Sequence, residues 1–178
     1  METSEADDNS TGKASTQLRP GLWDVVNERY PGSMIHNENY VPMAKLEKPL
    51  SECRVGFVST SGAQLKGSMP FDVVHPIGDY TFRRVPSGTH PDNLEIHQIK
   101  YPTAGANIDV NVVYPIQRLQ ELAAKGIIGE LTENFLSFIG YNMDPRHLES
   151  SLASDLADAF EEEKACLLYT SPSPRDRG

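Results

Sequence analysis

Apolar residues along this chain repeat with two different periods. At 53–60, "CRVGFVST" is a compact β-branched and aromatic run followed by Ser61 and Gly62, which predicts a buried strand and a small-residue loop. "NLEIHQIKY" (93–101) and "IDVNVVY" (108–114) read as further strands. The second alternates, with Ile108, Val110, Val112 and Tyr114 on one face and Asp109 and Asn111 on the other. The period then lengthens. In "PIQRLQELAAKG" (115–126), Ile116, Leu119, Leu122 and Ala123 form a helical stripe, with Pro115 at the first turn and Gly126 placed to end it. "ELTENFLSFIG" (130–140) predicts a second helix. A third opens at Asp144-Pro145 and carries Leu148, Leu152, Leu156 and Phe160 at steps of four, with an acidic, solvated far face.

The ends differ in texture. Residues 1–20 are small and polar, too poor in apolar groups to offset the entropy of ordering, and predict a disordered leader. "GLWDVVNERYPG" (21–32) spaces Leu22, Val25, Val26 and Tyr30 as a short docking helix that Pro31-Gly32 stops. Strands followed by helices predict an α/β layered, Rossmann-like domain over 21–165, with a mostly parallel sheet and flanking helices. An apolar strand should come after the amphipathic helix ending "EEEKA", because that helix needs a sheet to cover. The chain instead continues as "CLLYTSPSPRDRG". The first eleven residues of this tail match the translation of a transposon adapter used in sequencing libraries, so 166–178 reads as a non-native scar and the expected strand as missing. The domain is therefore expected to be truncated at its C-terminal end.

Composition narrows the class. A 38% hydrophobic and 23% charged content is that of an ordinary globular chain, and no apolar run is long enough to span a bilayer, so no membrane association is expected. The net charge of -9 without a Lys/Arg cluster argues against nucleic acid, whose binding draws on such clusters. Two cysteines give no disulfide framework and no secretory leader opens the chain, which makes a reducing cytoplasm the expected location.

Five ordered blocks, "RVGFVSTSG", "HPIGDYTFRRVP", "LEIHQIKY", "DVNVVYPIQRLQELAAKGIIG" and "FLSFIGY", resemble the selenoprotein B family, the B component of the glycine, sarcosine, betaine and D-proline reductases. The resemblance spans roughly residues 50–165. It implies a subunit of a cytoplasmic reductase complex that cleaves the C–N bond of a small amino acid or amine, using a dithiol/disulfide couple and working with other subunits. It also implies a nucleophilic selenocysteine or cysteine, with a pyruvoyl group possible in a partner subunit. That nucleophile belongs beyond the strand expected after "EEEKA", so this chain alone is expected to lack the catalytic residue and to be inactive. No bound cofactor is expected.

A thiol attacks as its anion and needs a depressed pKa. Cys53 starts a strand instead of ending one, and reads as a small buried apolar residue. The candidates that remain bind or support. His75, Asp79, Arg83 and Arg84 crowd into ten residues. Arg83 has the geometry to clamp a carboxylate with Asp79 orienting it, while from the residues alone the same pair reads as fastening a loop. The resemblance raises a site role for both. His97 reads as a structural histidine or, near Asp109 and Asn111, as an acid or base. Asp109 and Asn111 match family positions and would need partners if buried. "STSGAQLKG" (59–67) offers hydroxyls, backbone N–H groups and Lys66 to a small anion, or is simply a turn. His97 and Asp109 lack a recognised metal spacing, and no metal is expected. Two other readings stand beside the reductase: a non-catalytic small-ligand-binding or scaffold domain of the same fold, and a two-cysteine racemase-like enzyme. The last needs paired thiols, and Cys53 alone remains once the tail is set aside.

Overall fold

The computed structural model describes residues 44–170, together with 28, 29 and 31. The chain divides into Met1–Gly32 and Ser33–Gly178, and both sheets lie in the second part. The leader expected at 1–20 and nearly all of the docking helix expected at 21–32 fall outside the described residues, as do 171–178 of the tail.

Strand β1 (Arg54–Ser59) is the centre of the main sheet. It pairs in parallel with β5 (Glu130–Leu131), β6 (Asn134–Ser137) and β7 (Leu167–Thr170), while β3 (Arg83–Pro86) runs antiparallel to β6. The carbonyls of Cys53, Val55 and Ser59 accept the N–H groups of Glu130, Thr132 and Phe138, each at 3.0 Å, whereas the Arg54 carbonyl accepts that of Cys166 at 2.9 Å. Alternate carbonyls of a strand point to opposite edges, so β5 and β6 follow one edge of β1 and β7 the other. A separate antiparallel ladder joins β2 (Ala63–Leu65) to β4 (Leu94–Ile96).

Both faces of β1 are covered, as a parallel sheet requires. Phe57 packs in one core with Tyr114, Phe135, Val85 and two residues of α2 (Ile116–Ala124), Ile116 and Leu119. Its ring meets those of Tyr114 and Phe135 edge-on at centroid distances of 5.1 and 5.6 Å. The neighbouring residue, Gly56, faces the other way, and a Cβ there would stand 2.8 Å from the ring of Phe160 in α4 (Ala153–Glu162). Glycine thus lets that helix sit directly on the strand. The acidic face of α4 is exposed as expected at Asp155, Asp158, Glu161 and Glu162, whereas Glu163, which caps its end, is buried. Its carboxylate accepts from the Glu133 N–H and the Asn134 amide at 2.8 Å each, and Arg84 pairs with Glu162 at 2.6 Å, tying α4 to β6 and β3.

The α/β class and the mostly parallel sheet agree with the sequence pattern, and several elements do not. Residues 108–114 are not a strand. Ile108 ends α1 (Ala104–Ile108), and Val110–Val112 form a 3-10 turn capped by Asp109, whose carboxylate accepts the Asn111 N–H at 3.0 Å. An aspartate that satisfies nearby backbone in this way competes with strand pairing. Residues 130–140 are β5 and β6 instead of a helix, because pairing with β1 and burial of Phe135, Leu136 and Ile139 override local helical spacing. Within 93–101 the strand is confined to Leu94–Ile96. The third helix has the expected Asp144 cap over α3 (Pro145–His147) and then widens into a π-helical turn, Leu148–Leu152, before α4. A strand does come after α4. Leu167–Thr170 lies in the segment read as adapter-derived and pairs with Val55–Val58 of β1 in parallel register.

Phe57 is fully buried against three rings. Phe57→Ala is expected to destabilise the domain by about 3–5 kcal/mol, the usual cost of deleting a buried phenyl ring. Urea denaturation checks this, and a shift under about 1 kcal/mol would mean that β1 is not the centre of the core.

Candidate functional site

In an open α/β sheet, ligands bind outside the carboxyl ends of the strands. Here that edge is built from the 59–62 turn after β1 and the end of β6. Ser59 and Ser137 are register partners and both are buried. The Ser59 hydroxyl donates to the Val113 carbonyl at 3.1 Å and accepts the Ser61 N–H at 3.2 Å, fixing the turn to the 110–113 segment. Gly62 has φ +71° and closes the turn. Its N–H donates to the Phe138 carbonyl at 2.9 Å and its carbonyl accepts the His97 N–H at 2.8 Å. A Cβ on Gly62 would stand 2.6 Å from the His97 carbonyl, so no other residue fits without displacing β4's exit. The Tyr101 hydroxyl donates to the Ser61 carbonyl at 2.9 Å. Burial pushes the Tyr101 pKa up to about 12, which keeps it a donor near neutral pH.

The other site residues expected from sequence fall in three places. His97 sits at the 59–62 turn, held there through its backbone. Asp109 and Asn111 line a polar cleft of about 430 Å³ together with Lys66, Asp92 and Glu95. In that cleft the Asn111 amide donates to Asp109 at 2.8 Å, and its carbonyl oxygen accepts the Gln117 N–H at 3.0 Å, so Asn111 links the 3-10 turn to the first turn of α2. Hydrogen bonds from the Asn111 side chain and backbone, aided by the charge of Arg118, hold the Asp109 carboxyl below the usual range despite some desolvation. Asp109 is thus an anion near neutral pH and suits orienting a cation or a donor better than delivering a proton. Among the described residues, no three His, Cys, Asp or Glu side chains group as a metal site would need.

Asp79 and Arg83 lie together on the 69–83 segment, apart from the cleft's lining. Asp79 accepts the N–H groups of Asp72 and Thr81 at 2.8 Å each and the Thr81 hydroxyl. Burial pushes its carboxyl up, but those bonds and the Arg83 charge outweigh the burial and hold it below the ordinary 3.8. Arg83 donates to the carbonyls of Met69, Pro70 and Phe82 and to the Thr81 hydroxyl, with its guanidinium 4.1 Å above the ring of Phe71. Those contacts make the pair a fastening for this segment. Cys53 is buried at the amino end of β1, with its thiol donating to the Pro49 carbonyl at 3.4 Å. Burial, with Cys166 beside it, pushes the thiol's pKa up, away from what a nucleophile needs.

Sequence reasoning did not single out Ser137 or Tyr101. Ser137 lay in the segment expected to be helical, and Tyr101 at the end of a segment expected to be strand. The signal for Ser59 and Ser61 was present as hydroxyls directly after an apolar strand.

Comparison with known proteins gives a distant relation to a reductase subunit. The relative is D-proline reductase subunit gamma from Acetoanaerobium sticklandii, 24% identical over 135 residues, which cover 72% of this chain and 54% of the relative. The chain therefore spans about half the length of the curated relative it matches. No family model matches, and no solved structure matches. Among the described residues no helix is long and apolar enough to cross a membrane.

Two outcomes are expected from this geometry. A lowered folded-state pKa means that Asp79 contributes stability that is complete above its ordinary value of 3.8 and is lost as pH falls through the lower folded value. Asp79→Asn should flatten the acid side of the stability curve, read as urea midpoints at successive pH values. An acid limb identical to wild type would remove Asp79 from this role. Gly62→Ala should cost roughly 1–3 kcal/mol, since it combines a positive φ with a backbone clash. A change within about 0.5 kcal/mol would show that the turn relaxes freely.

Proposed function

We propose that this chain is part of a reductase-complex subunit of the D-proline reductase type, resembling the selenoprotein B component. The match of 135 residues to D-proline reductase subunit gamma supports this reading. The reaction is a reductive cleavage: the substrate's C–N bond is replaced by a C–H and an N–H bond, and a dithiol supplies the two electrons and becomes a disulfide. The nucleophile is a selenocysteine or cysteine that lies beyond Ala165 in the parent protein, and residues 166–178 are adapter-derived. Other subunits complete the site, one of them supplying a pyruvoyl group, and the substrate is a small amino acid or amine.

In this reading the nucleophile stands at the carboxyl end of the sheet. That placement is supported by β7, which comes after α4, runs parallel to β1 and brings Thr170 opposite Val58. Asp79, Arg83, His97, Asp109 and Asn111 are supporting groups in this reading. Asp79 and Arg83 hold a segment, His97 holds the turn, and Asp109 with Asn111 shapes the cleft. A second reading, a non-catalytic ligand-binding or scaffold domain, draws support from the bonds that already occupy Arg83 and from the burial of Cys53.

Sequencing the source DNA through the codon for Ala165 separates the two. The reductase reading expects an apolar strand and then a cysteine codon or an in-frame TGA. A gene that continues with neither favours the scaffold, and a gene that encodes the present tail overturns the adapter assignment. Residues 1–178 alone are expected to show no substrate-dependent dithiol oxidation. Measurable turnover by this chain would place the nucleophile within it.

A further inference from the structure

We propose that the buried hydroxyls of Ser61 and Ser137, at the carboxyl ends of β1 and β6, form the floor of a binding site for the carboxylate of a small amino acid. The proposal rests on the reading of this chain as part of an amino-acid or amine reductase subunit, and names the group of the substrate that this edge takes.

The face of the sheet changes character along its length. Val55 and Phe57 of β1 and Phe135 of β6 fill it with apolar groups, and one step further Ser59 and Ser137 replace them in register. Ser59 is satisfied by Val113 and Ser61. The hydroxyl oxygens of Ser61 and Ser137 have no partner among the described residues, although Ser137 is 0% exposed and Ser61 5%. The hydroxyl of Tyr114, which comes after Val113 and packs on Phe57, is a third buried oxygen without a partner among the described residues. Buried polar groups in folded proteins are nearly always hydrogen-bonded, so unpartnered hydroxyls at a sheet's ligand-binding edge point to a missing occupant.

Charge selects the occupant's sign. Arg83 stands opposite Ser137 in antiparallel register, and residues so paired share a face. Its hydrogen bonds all run to neutral oxygens, and its charge, which also steadies the Asp79 carboxylate, is shared between Asp79 and an anion beside Ser137. Hydroxyls that donate, next to a cation, suit a carboxylate.

The test is calorimetric titration of the 178-residue chain with D-proline and with pyrrolidine, which lacks the carboxylate, for wild type, Ser61→Ala and Ser137→Ala, with melting temperatures for all three. Saturable D-proline binding is expected, with pyrrolidine at least about tenfold weaker. Each variant should weaken D-proline about tenfold, the effect of losing one charge-assisted hydrogen bond. Melting temperatures should stay level or rise, since a buried hydroxyl without a partner is removed. Absence of D-proline binding, equal binding of pyrrolidine, or unchanged affinity in both variants would overturn the proposal. Lowered melting temperatures with unchanged affinity would assign the hydroxyls to a buried water instead. Variant-sensitive carboxylate binding in a protein whose gene encodes no nucleophile after Ala165 would sink the reductase reading and leave this one standing.

Discussion

β1 has strand partners along both edges and helices against both faces, and the rest of the described structure is arranged to satisfy it. Six residues carry that demand. The alternation of Gly56 and Phe57 divides the labour between the two faces: the glycine admits Phe160 of α4, and the phenyl ring organises the core beneath α2. A strand buried on both faces gains stability from apolar contact and loses it wherever a backbone group lacks a partner. The ladder to β5, β6 and β7 is therefore a condition of burying β1 at all.

That condition also sets where chemistry can lie. The apolar side chains that stabilise the middle of the sheet leave no room for a ligand, so polar groups collect where the strands end. Ser59, Ser61 and Ser137 occupy that boundary, with Gly62 turning the chain so that β6 and β4 both close on it. Cys53 occupies the opposite boundary, where the same strand begins and burial keeps its thiol protonated. The two ends of one strand thus separate a packing residue from a polar, hydrogen-bonded turn.

The elements legible in the sequence were those whose local chemistry and tertiary role agree. α2 has an apolar stripe that meets the core and a glycine that ends it at φ +66°. Asp144 caps the third helix as its position foretold. The segments at 108–114 and 130–140 misled for opposite reasons. In the first, alternation was real but Asp109 captured the local backbone, leaving Ile108 and Val112 exposed. In the second, helical spacing was real but the edge of β1 offered a ladder, which Thr132 supports by donating to the Asn134 carbonyl at 2.8 Å. The site divided in the same way. Asp109 and Asn111 were recognisable as polar residues in an apolar run, and their cleft exists. Arg83 was recognisable as a cation needing partners, but only the fold shows those partners to be the carbonyls of Met69 and Pro70. Ser137 was hidden because its importance comes from standing opposite Ser59, distant along the chain and adjacent only through register.

The strand after α4 tests what β1 asks of a neighbour. The register places Leu167 against Val55 and Tyr169 against Phe57, the latter stacked at 5.5 Å between ring centroids. Backbone pairing is indifferent to side-chain identity, so the requirement reduces to an extended segment with apolar groups at alternate positions. "LLYT" meets it whatever its origin. The demand comes from β1 and α4, which leave one edge and one loop length to fill. The segment that fills them lies in parallel register with β1 as far as Thr170 opposite Val58. The direction and register of this strand are therefore set by the sheet, while its side chains are set by the sequence alone.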